Sequence, residues 1–69
     1  MKPHYPVSES IRACVQWCRD TGNLNPSHCD VRCMINDERE SAQRNGFRVS
    51  PHYSQDAAFS AVRRSLKHG

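Results

Sequence analysis

The sequence predicts an all-α mini-domain: a cysteine-stapled antiparallel helical hairpin followed by a third short amphipathic helix. Three observations carry that prediction. Apolar residues recur at helical spacing in three separate stretches. The four cysteines fall into two pairs, Cys14 with Cys18 and Cys29 with Cys33, each with the same internal spacing. Large apolar residues are scarce, with two Leu, two Ile, five Val and two Phe among 69 residues. A chain this short buries only about 60% of its unfolded surface and needs disulfides, a metal or a partner to supplement its core.

Residues 1–7 hold two prolines and read as an extended arm. Ser8 then fits an N-cap, with Glu9 in the first turn where the helix dipole favours an acid. Ile11, Cys14, Val15 and Cys18 follow at the i, i+3, i+4, i+7 spacing of one helical stripe. Trp17 lies off the centre of that stripe and covers its edge. Gly22 fits a left-handed stop, so the first helix is expected over about residues 9–21.

Asn23-Leu24-Asn25-Pro26 reads as a loop. The second helix start carries two signals: Asn25 with Pro26 as N-cap and N1, and Ser27 with Asp30 as a capping box. The second stripe is read through Cys29 and Cys33, with Val31, Met34 and Ile35 beside it. From Asn36 to Asn45 only Ala42 is apolar, so this stretch is expected as an exposed helical extension ending at Asn45-Gly46.

Phe47 to Pro51 is a connector with two apolar anchors. Ser50 or Ser54 caps the third helix, whose stripe is Ala58, Phe59, Val62 and Leu66. His68-Gly69 reads as a frayed end. The chain is therefore one small domain: arm 1–7, hairpin 8–46, and a basic segment 47–69 with the third helix.

The net charge of +3 is uneven. Residues 44–69 hold Arg44, Arg48, Arg63, Arg64 and Lys67 against the single acid Asp56. One reading is a solvated face with cations at a helix C-terminus. The other is a surface for nucleic acid or an acidic protein. No apolar run approaches the roughly 18 residues of a membrane span. The first ten residues lack the apolar region of a secretory signal. The glycines sit at expected helix ends or the terminus, which excludes a phosphate-cradling loop. His4, His28, His52 and His68 are scattered without metal-ligand spacing and read as surface residues. No catalytic residue is assigned, and the protein is expected not to be an enzyme.

Residues four apart on a helix share a face. Antiparallel packing of the first two helices therefore sets Cys18 opposite Cys29 and Cys14 opposite Cys33. Disulfides across the hairpin would each contribute roughly 2–3 kcal/mol by the chain-entropy argument. The alternatives are a zinc site with Cys14, Cys18, Cys29 and Cys33 as ligands, for which His28 is a substitute ligand, and free or redox-active thiols. An oxidising compartment favours the first and a reducing cytosol the second.

The block Cys14-Val-Gln-Trp-Cys18 … Cys29-Asp-Val-Arg-Cys33 resembles the twin CX3C signature of disulfide-stapled helical hairpins. The small Tim chaperones of the mitochondrial intermembrane space, the plant α-hairpinin peptides and the helical-hairpin scorpion toxins carry that signature. The resemblance spans residues 14–33. It implies Cys14–Cys33 and Cys18–Cys29 bridges and an oxidising location such as the intermembrane space or the cell exterior.

The function expected from this reading is a small non-enzymatic binding protein acting on another protein, as inhibitor, effector or chaperone-like adaptor, without a cofactor. Its candidate contact residues are Trp17, Phe59, Val62, Arg63, Arg64 and Leu66, since Trp and Arg are enriched at interfaces. One alternative is a zinc-stabilised nucleic-acid-binding regulator using the basic C-terminal segment. Another is a secreted antimicrobial or toxin-like hairpin.

Overall fold

The computed structural model describes residues 2–68 as three α-helices. They are α1 (Val7–Thr21), α2 (His28–Arg44) and α3 (Gln55–His68). Each helix packs on both of the others. Gly69, expected to fray with His68, and Met1 of the arm lie outside the described residues.

The helix ends follow from local chemistry. α1 starts at Val7 behind Pro6, which offers no side-chain cap, so the expected cap at Ser8 is corrected: Ser8 lies inside the first turn. The Pro6 carbonyl instead accepts from the Glu9 amide at 3.1 Å, which closes the first turn. At the other end Gly22 takes φ 77°. The Asn23 amide donates to the Cys18 carbonyl at 2.9 Å and the Gly22 amide to Arg19 at 3.3 Å. This is a Schellman stop, and it needs the left-handed residue that glycine supplies at no steric cost.

The two start signals for α2 resolve in favour of Ser27. The Asp30 amide donates to Ser27 Oγ at 3.1 Å, and the Ser27 amide donates back to Asp30 Oδ2 at 3.2 Å. The reciprocal box satisfies two amides that a helix start leaves open. α2 runs to Arg44 and closes with a second Schellman pattern, in which Gly46 has φ 91° and the Phe47 amide reaches the Ala42 carbonyl at 3.0 Å. Ser54, the second of the two expected caps, begins α3 by accepting from the Ala57 amide at 3.2 Å.

One cluster of buried residues joins the three helices: Cys14, Val15 and Cys18 from α1, Val31 and Ile35 from α2, Ala58 and Val62 from α3. Val7, Ile11, Met34, Tyr53, Phe59 and Leu66 ring it. The stripes read for α1 and α3 are the ones that pack. The third helix folds onto the other two, and the Arg19 guanidinium of α1 donates to the Ser65 carbonyl of α3 at 2.9 Å.

The stripe of α2 is corrected. Its buried residues are Val31, Ile35 and Ala42, while Cys29 and Cys33 are exposed. At about 100° per residue, Ile35 lies roughly 40° from Val31, whereas Cys29 and Cys33 each lie roughly 160° away. Only one of the two faces can meet α1. Burying Val31 and Ile35 gains about 1.5–3 kcal/mol per side chain. The cysteine face runs on into Asn36, Asp37 and Glu40, all exposed, and offers nothing comparable.

The C-terminal half of α2 is braced by the arm rather than left free. The Tyr5 amide donates to the Arg48 carbonyl and the Arg48 amide to the Pro3 carbonyl, both at 2.8 Å, in an isolated parallel bridge centred on His4 and Arg48. Tyr5 meets Phe47 edge-on with ring centroids 5.8 Å apart, and its hydroxyl donates to Glu38 at 3.4 Å. Ala42, expected on an exposed extension, is buried. The connector to α3 is pinned at Tyr53, whose hydroxyl donates to Asn36 at 2.7 Å while the Arg39 guanidinium lies 4.4 Å from its ring.

Candidate functional site

The four cysteines do not meet. Cys14 and Cys18 project from α1 into the core, at 1% and 0% exposure. Cys29 and Cys33 project from the far side of α2. All four are free thiols with no sulfur at disulfide distance of another. The nested bridges Cys14–Cys33 and Cys18–Cys29 are therefore corrected, and the four-thiolate zinc site with them: a shared ion or bond needs sulfurs that converge, and the register of α2 turns its pair outward. Among the described residues no three His, Cys, Asp or Glu side chains gather as metal ligands.

The buried pair has a different chemistry from the exposed one. The Cys14 thiol donates to the Met34 sulfur at 3.9 Å, a soft contact across the α1–α2 seam. Burial pushes Cys14 up to about 12, and the neighbouring Cys18 adds to the shift. Burial also raises Cys18. These are inert core thiols, because the nucleophile and the metal ligand is the thiolate. Cys33 is raised for another reason: the adjacent Cys29 sulfur, through a hydrogen bond and then through charge, opposes its ionisation.

Trp17 is 53% exposed and stands on the rim of a cleft of about 250 Å³. α1 contributes Ala13, Cys14 and Trp17 to this cleft, and α2 contributes Met34, Asp37 and Glu38. Its lining is thus apolar with two carboxylates at one edge. Trp17 stays outside the core because it leaves the Cys14–Cys18 stripe by one residue, roughly 100° from Cys18.

The other candidate contact residues lie on α3. Val62 is fully buried and presents no surface, and Leu66 is half-buried against the core. Phe59 is half-buried, with the His28 ring centroid 4.9 Å and the Arg63 guanidinium 5.6 Å from its ring. Phe59, Ser60, Arg63, Arg64, Lys67 and His68 line a shallow, basic hollow of about 460 Å³. Trp17 and the α3 residues therefore belong to separate surfaces.

Sequence reasoning missed two features near these surfaces. His28 Nε2 lies 3.1 Å from Asp56 Oδ1, which ties the first turn of α2 to the first turn of α3. Asp37 and Glu38 read as part of a solvated face, yet they edge the Trp17 cleft. Both depend on how helices pack, for which the local pattern holds no signal. No family, curated protein or solved structure matches the chain.

Proposed function

We infer that this protein is a small non-enzymatic binding protein, acting as an inhibitor, effector or adaptor, with the Trp17 cleft as its contact surface for another protein. α1 and α2, as the helical hairpin of this reading, line the cleft, and α3 packs on both. The observation that carries this reading is the half-exposed Trp17 beside an apolar cleft edged by Asp37 and Glu38. A large aromatic on the rim of a groove is the kind of anchor that dominates binding energy at interfaces. The carboxylates specify the occupant: a segment that seats an apolar side chain in the cleft and sets a Lys or Arg against Asp37 and Glu38.

Trp17 is the sole tryptophan, so its emission reports the cleft directly. A partner isolated on the immobilised protein is expected to blue-shift that emission and to bind Trp17→Ala at least about tenfold more weakly, since hot-spot truncations exceed 1 kcal/mol. Equal retention by Trp17→Ala, with unchanged thermal stability of the variant, contradicts the reading.

A second reading rests on the basic hollow of α3, where Phe59 lies among Arg63, Arg64 and Lys67. An aromatic among cations suits single-stranded nucleic acid, with a base stacked and phosphates neutralised. It predicts binding to an oligonucleotide that falls steeply with salt and is lost in Arg63→Glu/Arg64→Glu. Binding that ignores salt sinks it.

A further inference from the structure

We propose that Cys29 and Cys33 form a two-thiolate site for a soft monovalent cation, Cu(I), on the outer face of α2. Both thiols are exposed. Their spacing within a regular helix sets their Cβ atoms about 5–6 Å apart on one face. A linear S–Cu–S unit with metal–thiolate bonds of about 2.3 Å, the length found in zinc sites, spans about 4.6 Å. Side chains standing parallel one turn apart meet that span with small rotations about χ1.

The cation follows from the ligand count and type. Zinc takes four protein ligands in a closed site, and no third His, Cys, Asp or Glu joins this pair among the described residues. Thiolates select Cu(I) among physiological ions, and Cu(I) accepts two-coordination. Cys29 lies in the first turn of α2, where the helix dipole attracts the negative charge that the loaded site carries.

The binding step balances without a redox partner. Two S–H bonds break, two Cu–S bonds form, two protons pass to solvent, and the product carries one negative charge. Affinity therefore rises with pH. The pair on α1 has the same spacing and does not qualify, because its sulfurs are sealed in the core against Val31, Ile35 and Met34.

The test is an anaerobic titration with Cu(I) held by a coloured chelator. The whole chain is expected to withdraw one equivalent per monomer, more tightly as pH rises. Cys29→Ser and Cys33→Ser are each expected to weaken capture at least ~100-fold, the upper end of what losing even an outer partner of a metal ligand costs. Both variants keep the helical circular dichroism of the parent, since the side chains are exposed, and Cys14→Ala keeps the copper. Three results overturn the site: the chelator retains the metal, a single serine variant binds like the parent, or native mass spectrometry finds one ion shared by two chains.

Discussion

The two cysteine pairs have identical spacing and opposite fates. Cys14 and Cys18 are sealed among Val15, Val31, Ile35, Ala58 and Val62, and burial holds them protonated. Cys29 and Cys33 stand in solvent on the back of α2. The difference teaches that CX3C spacing fixes only that two sulfurs share a face. Which way that face points is decided by everything else on the helix. On α1 the competing residues, Ile11 and Val15, lie beside the cysteines. On α2 the heavier apolar residues, Val31 and Ile35, lie opposite them.

The comparison breaks most sharply under charge. Cys18→Asp places a carboxylate in the core with no partner, a change that costs at least several kcal/mol and is enough to unfold a domain this small. Cys33→Asp, on the exposed face, is expected within about 0.5 kcal/mol of the parent. Urea denaturation of the two variants reads both outcomes, and a similar loss in each would mean that the pairs are equivalent.

Alkaline titration separates the pairs next. Cys14 is raised from 9.0 to about 12 in the folded chain. The folded state therefore keeps a proton that the unfolded state loses. The stability it contributes is complete below about pH 9 and is lost as pH rises towards 12. Thermal melts across that range should fall for the parent and fall less for Cys14→Ala. A melt that is flat between pH 9 and 11 would contradict the burial of this thiol.

The helix starts sharpen the contrast further. Ser27→Ala removes the reciprocal cap of α2 and is expected to cost about 1 kcal/mol, whereas Ser8→Ala, in the uncapped first turn of α1, is expected to cost nothing measurable. One further effect has the opposite sign. Ser10 is fully buried on the core face of α1 and its hydroxyl has no hydrogen-bond partner among the described residues. Ser10→Ala removes that unsatisfied group and is expected to stabilise the fold by up to about 1 kcal/mol. Destabilisation by this variant would mean that the hydroxyl does find a partner.

Much of this architecture was legible in the residues. The stripes of α1 and α3, the Gly22 and Gly46 stops, the Ser27 box and the Ser54 cap all depend on neighbours within a turn or so, and local chemistry reports them. The face of α2 was misread because two cysteines drew the stripe through themselves. Following that face downstream meets Asn36, Asp37 and Glu40, whereas the Val31–Ile35 face reaches Ala42. That continuation was the available signal. The pairing of the arm with Arg48, the Tyr5–Phe47 contact and the His28–Asp56 pair join residues 28 or more positions apart. They arise from how the helices lie on one another, and no short window contains them. The Trp17 cleft was half legible: the tryptophan was visible as an edge residue, but its acidic border was not.

The most direct test is residue-resolved alkylation of the native, unreduced protein with iodoacetamide, followed by peptide mass mapping. Cys29 and Cys33 are expected to label completely while Cys14 and Cys18 stay unmodified until denaturant is added. Four thiols protected before reduction, or labelling at equal rates on both helices, would contradict the division of the two pairs between surface and core.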